Sequence, residues 1–116
     1  MEKNIEISLL FDFYKPLLTQ PQQQAVELYY NDDCSLAETA DLMGITRQGV
    51  RDLVKRGEAV LYGYEEKLGL FKRFNAVEDG LEKICGCAQD IMKISDDLSV
   101  NVKAEEIFTA AQELME

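Results

Sequence analysis

The chain has 116 residues, 47% of them apolar, with 22 acidic and 12 basic side chains, no histidine, and a formal charge of −10. That size and apolar share suit a compact domain with an extension and exclude a disordered chain. The acidic excess opposes loose polyanion binding, so any nucleic-acid contact has to be local. No apolar run is long enough to span a bilayer and no signal segment is visible, so a cytoplasmic protein without membrane insertion is expected. Cys34, Cys85 and Cys87 are an odd set that fits a reducing compartment. They read as buried small side chains, because without histidine no zinc site is easily completed.

Residues 3–15 form the first expected helix. Ile7, Leu10, Phe13, Tyr14 and Leu17 recur at helical spacing, with Leu9 and Phe11 widening the stripe. Pro16 ends it near Tyr14 or Lys15. The aromatic side chains here read as core. Thr19 and Gln22 make a capping box for helix 20–30, with Pro21 in its first turn. Ala25, Val26, Tyr29 and Tyr30 face inward, and Asn31 takes a left-handed stop. Asp32-Asp33-Cys34 is a short loop, and its carboxylate pair reads as a favourable neighbour of the next helix start.

Residues 35–67 read as a helix-turn-helix. Ser35 and Glu38 form a second capping box, and Leu36, Thr39, Ala40 and Met43 share one face of helix 36–43. Gly44 ends that helix and Ile45 is expected to plug the corner. Thr46 caps helix 47–67, whose inward stripe is Val50, Leu53, Val54, Gly57, Val60, Leu61 and Tyr64. Ala40 keeps the two helices close at their crossing, and Gly57 permits another close approach. Arg47, Gln48, Arg51, Lys55 and Arg56 fall outside the stripe. Residues 46–56 hold four basic side chains against Asp52 alone, a segment charge of +3 that leaves −13 for the rest. Short helical hairpins that bind no nucleic acid share this spacing, but the polar set from Thr46 to Arg51 sits where base edges and phosphates would be met.

From Leu70 to Leu98 the apolar period is the cleanest in the chain. Leu70, Phe74, Val77, Leu81, Ile84, Ala88, Ile91, Ser95 and Leu98 alternate spacings of four and three. Apolar residues on both flanks of this seam suit a bundle, and helix 70–94 outruns the short helices available to cover it. A homodimer through residues 70–116 is therefore expected, with Phe74, Val77, Leu81, Ile84, Ala88 and Ile91 at its interface. Asn101 is expected to cap a last helix with the stripe Ile107, Ala110, Ala111 and Leu114. No phosphate loop, paired nucleophile and base, metal cluster or cofactor motif occurs, so the chain reads as a non-enzyme without cofactor.

Leu9-Leu10-Phe11-Asp12-Phe13-Tyr14, Leu28-Tyr29-Tyr30-Asn31-Asp32-Asp33, Thr46-Arg47-Gln48 and Tyr64-Glu65-Glu66-Lys67-Leu68-Gly69-Leu70 resemble the YlxM family. These are small bacterial DNA-binding proteins linked by gene neighbourhood to the signal recognition particle. The resemblance implies an all-α fold: a helix-turn-helix domain over residues 1–67, similar to the promoter-reading domain of sigma factors, and a helical extension over 68–116. It departs at Gly49, where alanine is expected. The functional expectation is a regulatory binder of double-stranded DNA, with Thr46, Arg47, Gln48, Arg51, Lys55 and Arg56 as contacts. The alternative is a protein-interaction module for signal recognition particle components, which the net charge favours. Contact with structured RNA is a weaker third reading, because a reading helix suits the DNA major groove.

Overall fold

The computed structural model describes residues 2–115, which form six α-helices and no strand. Helix α1 covers Lys3–Tyr14, and Pro16 turns its end into a single 3₁₀ turn over Lys15–Leu17. That turn rotates the chain by one position. Leu17, expected in the core, is 49% exposed, and Leu18 is buried in its place.

Helix α2, Gln20–Val26, has the expected capping box: Thr19 Oγ1 accepts from the Gln22 N–H and Gln22 accepts from the Thr19 N–H. It then loosens into a π-turn over Glu27–Asn31, where the Asp32 N–H reaches back to the Glu27 carbonyl at 3.0 Å. The left-handed stop belongs to Asp33, at φ 54°, and not to Asn31. The π-turn displaces the exit by two residues, and the Cys34 N–H closes it onto the Leu28 carbonyl at 3.0 Å.

Helix α3 covers Leu36–Met43 and α4 covers Arg47–Leu68. Gly44 at φ 70° and Gly69 at φ 62° end them in the left-handed conformation that costs glycine least. Two apolar clusters hold α1–α4 together. Ile7, Leu10, Phe11, Tyr14, Leu18, Val26 and Leu61 form the first. Ala25, Ala40, Val50 and Val54 form the second, beneath the helix-turn-helix. Gly57 is required at the α2–α4 crossing, since a Cβ there would lie 2.7 Å from Val26 Cγ2.

Helix α5, Leu70–Ile94, is separated from α4 by the single residue Gly69. Its exposed N–H groups need acceptors at that break, and two side chains supply them. The Phe71 N–H donates to Glu65 Oε1 at 3.0 Å, the Leu70 N–H donates to the Tyr14 hydroxyl at 3.2 Å, and Tyr14 donates in turn to Glu65 at 2.7 Å. Phe71 packs edge-on against Phe13, with ring centroids 5.9 Å apart. The first compact unit of the chain accordingly extends through Phe71, a few residues beyond the expected break after Lys67.

The second unit, from Lys72 onward, is the rest of α5 with α6, Leu98–Met115. Asn101 does not cap α6. Asp97 does, with Oδ1 accepting from the N–H groups of Ser99 at 2.9 Å and Val100 at 3.3 Å, while Asn101 Nδ2 donates to the Ser95 carbonyl at 2.9 Å. Donation from Ser99 and Val100 holds the Asp97 carboxyl below its ordinary range. The side chains buried in this unit are Cys85, Ala88, Ala104 and Ala111. Of the three cysteines expected to be buried, Cys34 is half-buried and Cys87 is exposed. Positions two apart on a helix lie about 200° apart, so Cys85 and Cys87 cannot share a face.

Candidate nucleic-acid interface

The helix-turn-helix is set by its caps and its small core. Ser35 Oγ accepts from the Glu38 N–H at 3.0 Å and Glu38 accepts from the Ser35 N–H at 3.1 Å, which holds the Glu38 carboxyl below its usual range. Thr39 is fully buried, and its hydroxyl donates to the Ser35 carbonyl at 2.8 Å. Ala40 sits buried against Val50 and Val54, as the crossing requires. Ile45 departs from expectation. It does not plug the corner but stays 40% exposed, outside the cluster that Ala25, Ala40, Val50 and Val54 close without it.

Thr46 caps α4 as expected: its Oγ1 accepts from the Gly49 N–H at 3.0 Å. Arg47, Gln48, Arg51, Lys55 and Arg56 are all exposed on α4. Arg47, Arg51 and Lys55 are four apart and descend one flank of the helix. Arg56 follows Lys55 by about 100° of rotation and lies on the other flank. Gln48 lies between them and donates to Asp52 Oδ1 at 3.1 Å. The ion pairs Lys3–Glu58, Lys15–Glu27 and Lys103–Glu106 take none of the four basic side chains of α4, which are uncommitted among the described residues.

Arg51 and Lys55 also line a groove of about 400 Å³ with Lys3, Tyr29, Leu36 and Glu58. Tyr30 donates to Glu58, and Lys3 Nζ pairs with Glu58 at 3.2 Å, which ties the start of α1 to the middle of α4. Burial and then the Glu58 carboxylate push the Tyr30 phenol well above its usual range. No spacing rule in the sequence connects Lys3 or Tyr29 to α4, since the π-turn and the α1 packing place them there. The other side of the motif is acidic. Asp32, Asp33, Glu38 and Asp41 are exposed around α3, and desolvation together with the charges of Glu38, Asp32 and Asp33 raises the Cys34 thiol.

The profile of the family described as "UPF0122: Putative helix-turn-helix protein, YlxM / p13 like" matches residues 1–99. The chain belongs to this family. It is 42% identical over 108 residues to a UPF0122 protein of Thermoanaerobacter sp. (strain X514), covering 93% of this chain and 92% of that one. A UPF0122 protein of Bacillus velezensis is 40% identical over 116 residues, with 100% of this chain and 96% of the relative covered. One from Bacillus pumilus is 49% identical over 84 residues, 72% of this chain and 76% of its own. The UPF0122 match takes in the whole helix-turn-helix and α5, and ends at the start of α6. Among the described residues no group of three or more His, Cys, Asp or Glu side chains could hold a metal ion, and no helix is long and apolar enough to cross a membrane.

Proposed function

We propose that this UPF0122 chain is a non-enzymatic, cytoplasmic regulator that reads duplex DNA with α4, in the manner of a promoter-reading sigma-type helix-turn-helix. The observation that carries the reading is the Thr46-capped start of α4, followed by an exposed set of basic side chains with no ion pair among the described residues. Arg47, Gln48 and Arg51 meet base edges in the major groove, with Gln48 exchanging Asp52 for a base. Lys55 and Arg56, on opposite flanks, meet the phosphates of its two walls. A bidentate arginine or glutamine contact discriminates between base pairs by about 1–3 kcal/mol.

About three neutralised phosphates give a slope near −3 for log affinity against log salt, measured by fluorescence anisotropy on duplexes from the protein's own operon. Arg51→Ala relaxes the preference among duplexes, whereas Lys55→Ala weakens all of them alike. Wild-type affinity in both variants would remove α4 from the interface. The acidic flank of Asp32, Asp33, Glu38 and Asp41 favours a second reading, in which the motif contacts protein components of the signal recognition particle. Absence of duplex binding at low salt, with retained binding to those components, selects it.

A further inference from the structure

Within the second unit, helices α5 and α6 leave an apolar face exposed. On α5, Gly80, Ile84, Cys87 and Ile91 follow one another at spacings of four, three and four, and on α6, Val100 and Ile107 are seven apart. Two adjoining apolar hollows run along them, sharing Ile91 and Ile107. Ile84 is 45% exposed and Ile107 47%. The face differs from the seam read in the sequence: Ala88 is buried within the hairpin and Leu81 is half-buried, so neither leads this surface.

We propose that this face is the seat of a second copy of the chain, two α5–α6 hairpins closing into a four-helix bundle. Three observations identify the occupant. The first is what the hairpin lacks. Its buried side chains are Cys85, Ala88, Ala104 and Ala111, too little apolar volume for a two-helix unit to hold its form alone.

The second is size. From Val77 to Ile94 the stripe runs about 27 Å, and two adjacent helices span about 20 Å, roughly 500 Å² in projection. With interdigitating side chains this approaches the roughly 800 Å² per partner of a stable association, and it is as large as the largest apolar patches that soluble monomers leave open.

The third is charge. From Lys72 onward the sequence has ten carboxylates and five basic side chains, yet the two hollows are lined by no carboxylate and carry Lys83 and Lys103 at their rims. A basic partner finds no counter-charge there, and an acidic one is repelled by the rest of the unit. A second copy brings its own neutral face. It also brings Glu113 on the outer edge of α6, and beside it Glu106, which its own Lys103 engages at 3.3 Å. The Cys85 thiol lies 3.9 Å from the Phe108 carbonyl, a register that sets Lys83 level with Ala110, between those two glutamates. A twofold axis along the helices lays α5 of one copy over α6 of the other and delivers Lys83 to that acidic edge.

Sedimentation equilibrium of the full chain, without DNA at tens of micromolar, tests this. The expected mass is twice the 13.2 kDa of one chain. Ile84→Glu with Ile107→Glu halves it, while Lys93→Glu, on the other side of α5, leaves it doubled. If the double variant loses helicity, the rim decides. Lys83→Glu weakens association at least tenfold, and adding Glu106→Lys with Glu113→Lys restores it. A monomeric wild type, a folded Ile84→Glu/Ile107→Glu chain that keeps the double mass, or a Lys83→Glu chain with unchanged association each overturns the proposal.

Discussion

Residues up to Phe71 bury their largest side chains, and those from Lys72 onward bury their smallest. In the first unit Tyr14, Phe11, Ile7, Leu10 and Leu61 are at most 2% exposed. In the second, Cys85, Ala88, Ala104 and Ala111 are buried while Ile84, Ile91, Ile107 and Leu114 are not. Both units are amphipathic helices at the same apolar period. The difference lies in how many helices surround each stripe. Four helices converge on the first unit, so an aliphatic stripe of any width finds a neighbour. Two helices cover only one strip of each other. The same periodicity therefore closes a core in one place and leaves an open face in the other.

The comparison breaks most sharply on matched truncations. Leu61→Ala removes a side chain from the middle of the first cluster, and a Leu→Ala cavity costs about 2–5 kcal/mol. Ile94→Ala removes a comparable side chain that is 83% exposed in the single chain, and at protein concentrations too low for two copies to associate an exposed substitution shifts stability by at most about 0.5 kcal/mol. Urea unfolding followed by circular dichroism measures both. Equal losses would mean that the second unit holds Ile94 in a core of its own.

Legibility in the sequence follows the same division. Caps and stops were readable where the deciding interaction is local: Thr19 with Gln22, Ser35 with Glu38, Thr46 and Gly44 all act within a few residues. The basic face of α4 was readable for the same reason, since it depends only on helical phase. The errors arise where a distant or competing group decides. Leu17 lost its core position to a 3₁₀ turn, Asn31 lost the left-handed stop to a π-turn, and Asn101 lost the α6 cap to Asp97 three residues after α5 ends. The Tyr14–Glu65–Leu70 junction joins residues more than fifty apart, and no local rule points to it. Side-chain size was the unread signal for the open face of α5, because the small residues Cys85 and Ala88 mark the side that packs within the hairpin.

That junction gives the next effect in size. Tyr14→Phe keeps the ring, stacked on Tyr64 at 6.0 Å, and deletes the hydroxyl that accepts from the Leu70 N–H and donates to Glu65. Leaving buried groups without a partner costs about 1–3 kcal/mol. The loss falls on the first unit and on the start of α5, and hydrogen exchange at Leu70 reports it. Burial, followed by the hydrogen bond to Glu65, raises the Tyr14 phenol; burial and the neighbouring Glu58 and Glu6 carboxylates raise Tyr30 and Tyr62. A raised folded value means the neutral phenol stabilises the fold. That stabilisation is complete below the unfolded tyrosine value of about 10 and is lost as pH rises through the folded values. Melting temperature should fall steeply above about pH 10, and less steeply in Tyr14→Phe. A flat profile from pH 9 to 12 would show that these phenols titrate as they do in the unfolded chain.

The smallest effect compares one glycine from each unit. Gly49 lies in the first turn of α4 at a helical backbone, so alanine gains up to about 1 kcal/mol of helix propensity. Its Cβ, however, would lie 3.3 Å from Thr46 Oγ1 and 3.5 Å from Ile45 Cδ1. Ile45 is exposed and can swing away, but Thr46 Oγ1 is the cap and is held by the Gly49 N–H itself. Shifting it a few tenths of an ångström weakens a cap worth about 1 kcal/mol, so Gly49→Ala should be stabilising by only about 0–0.5 kcal/mol. Gly80 on α5 has open space around it within its own chain, and Gly80→Ala meets no such opposition. At low concentration it should show nearly the whole gain of about 1 kcal/mol. At concentrations where two copies associate, the added methyl enters the shared face and the gain should shrink. A thermal melt of each variant at two protein concentrations separates the two cases. Concentration-independent gains at both positions would mean that the α5 face stays open.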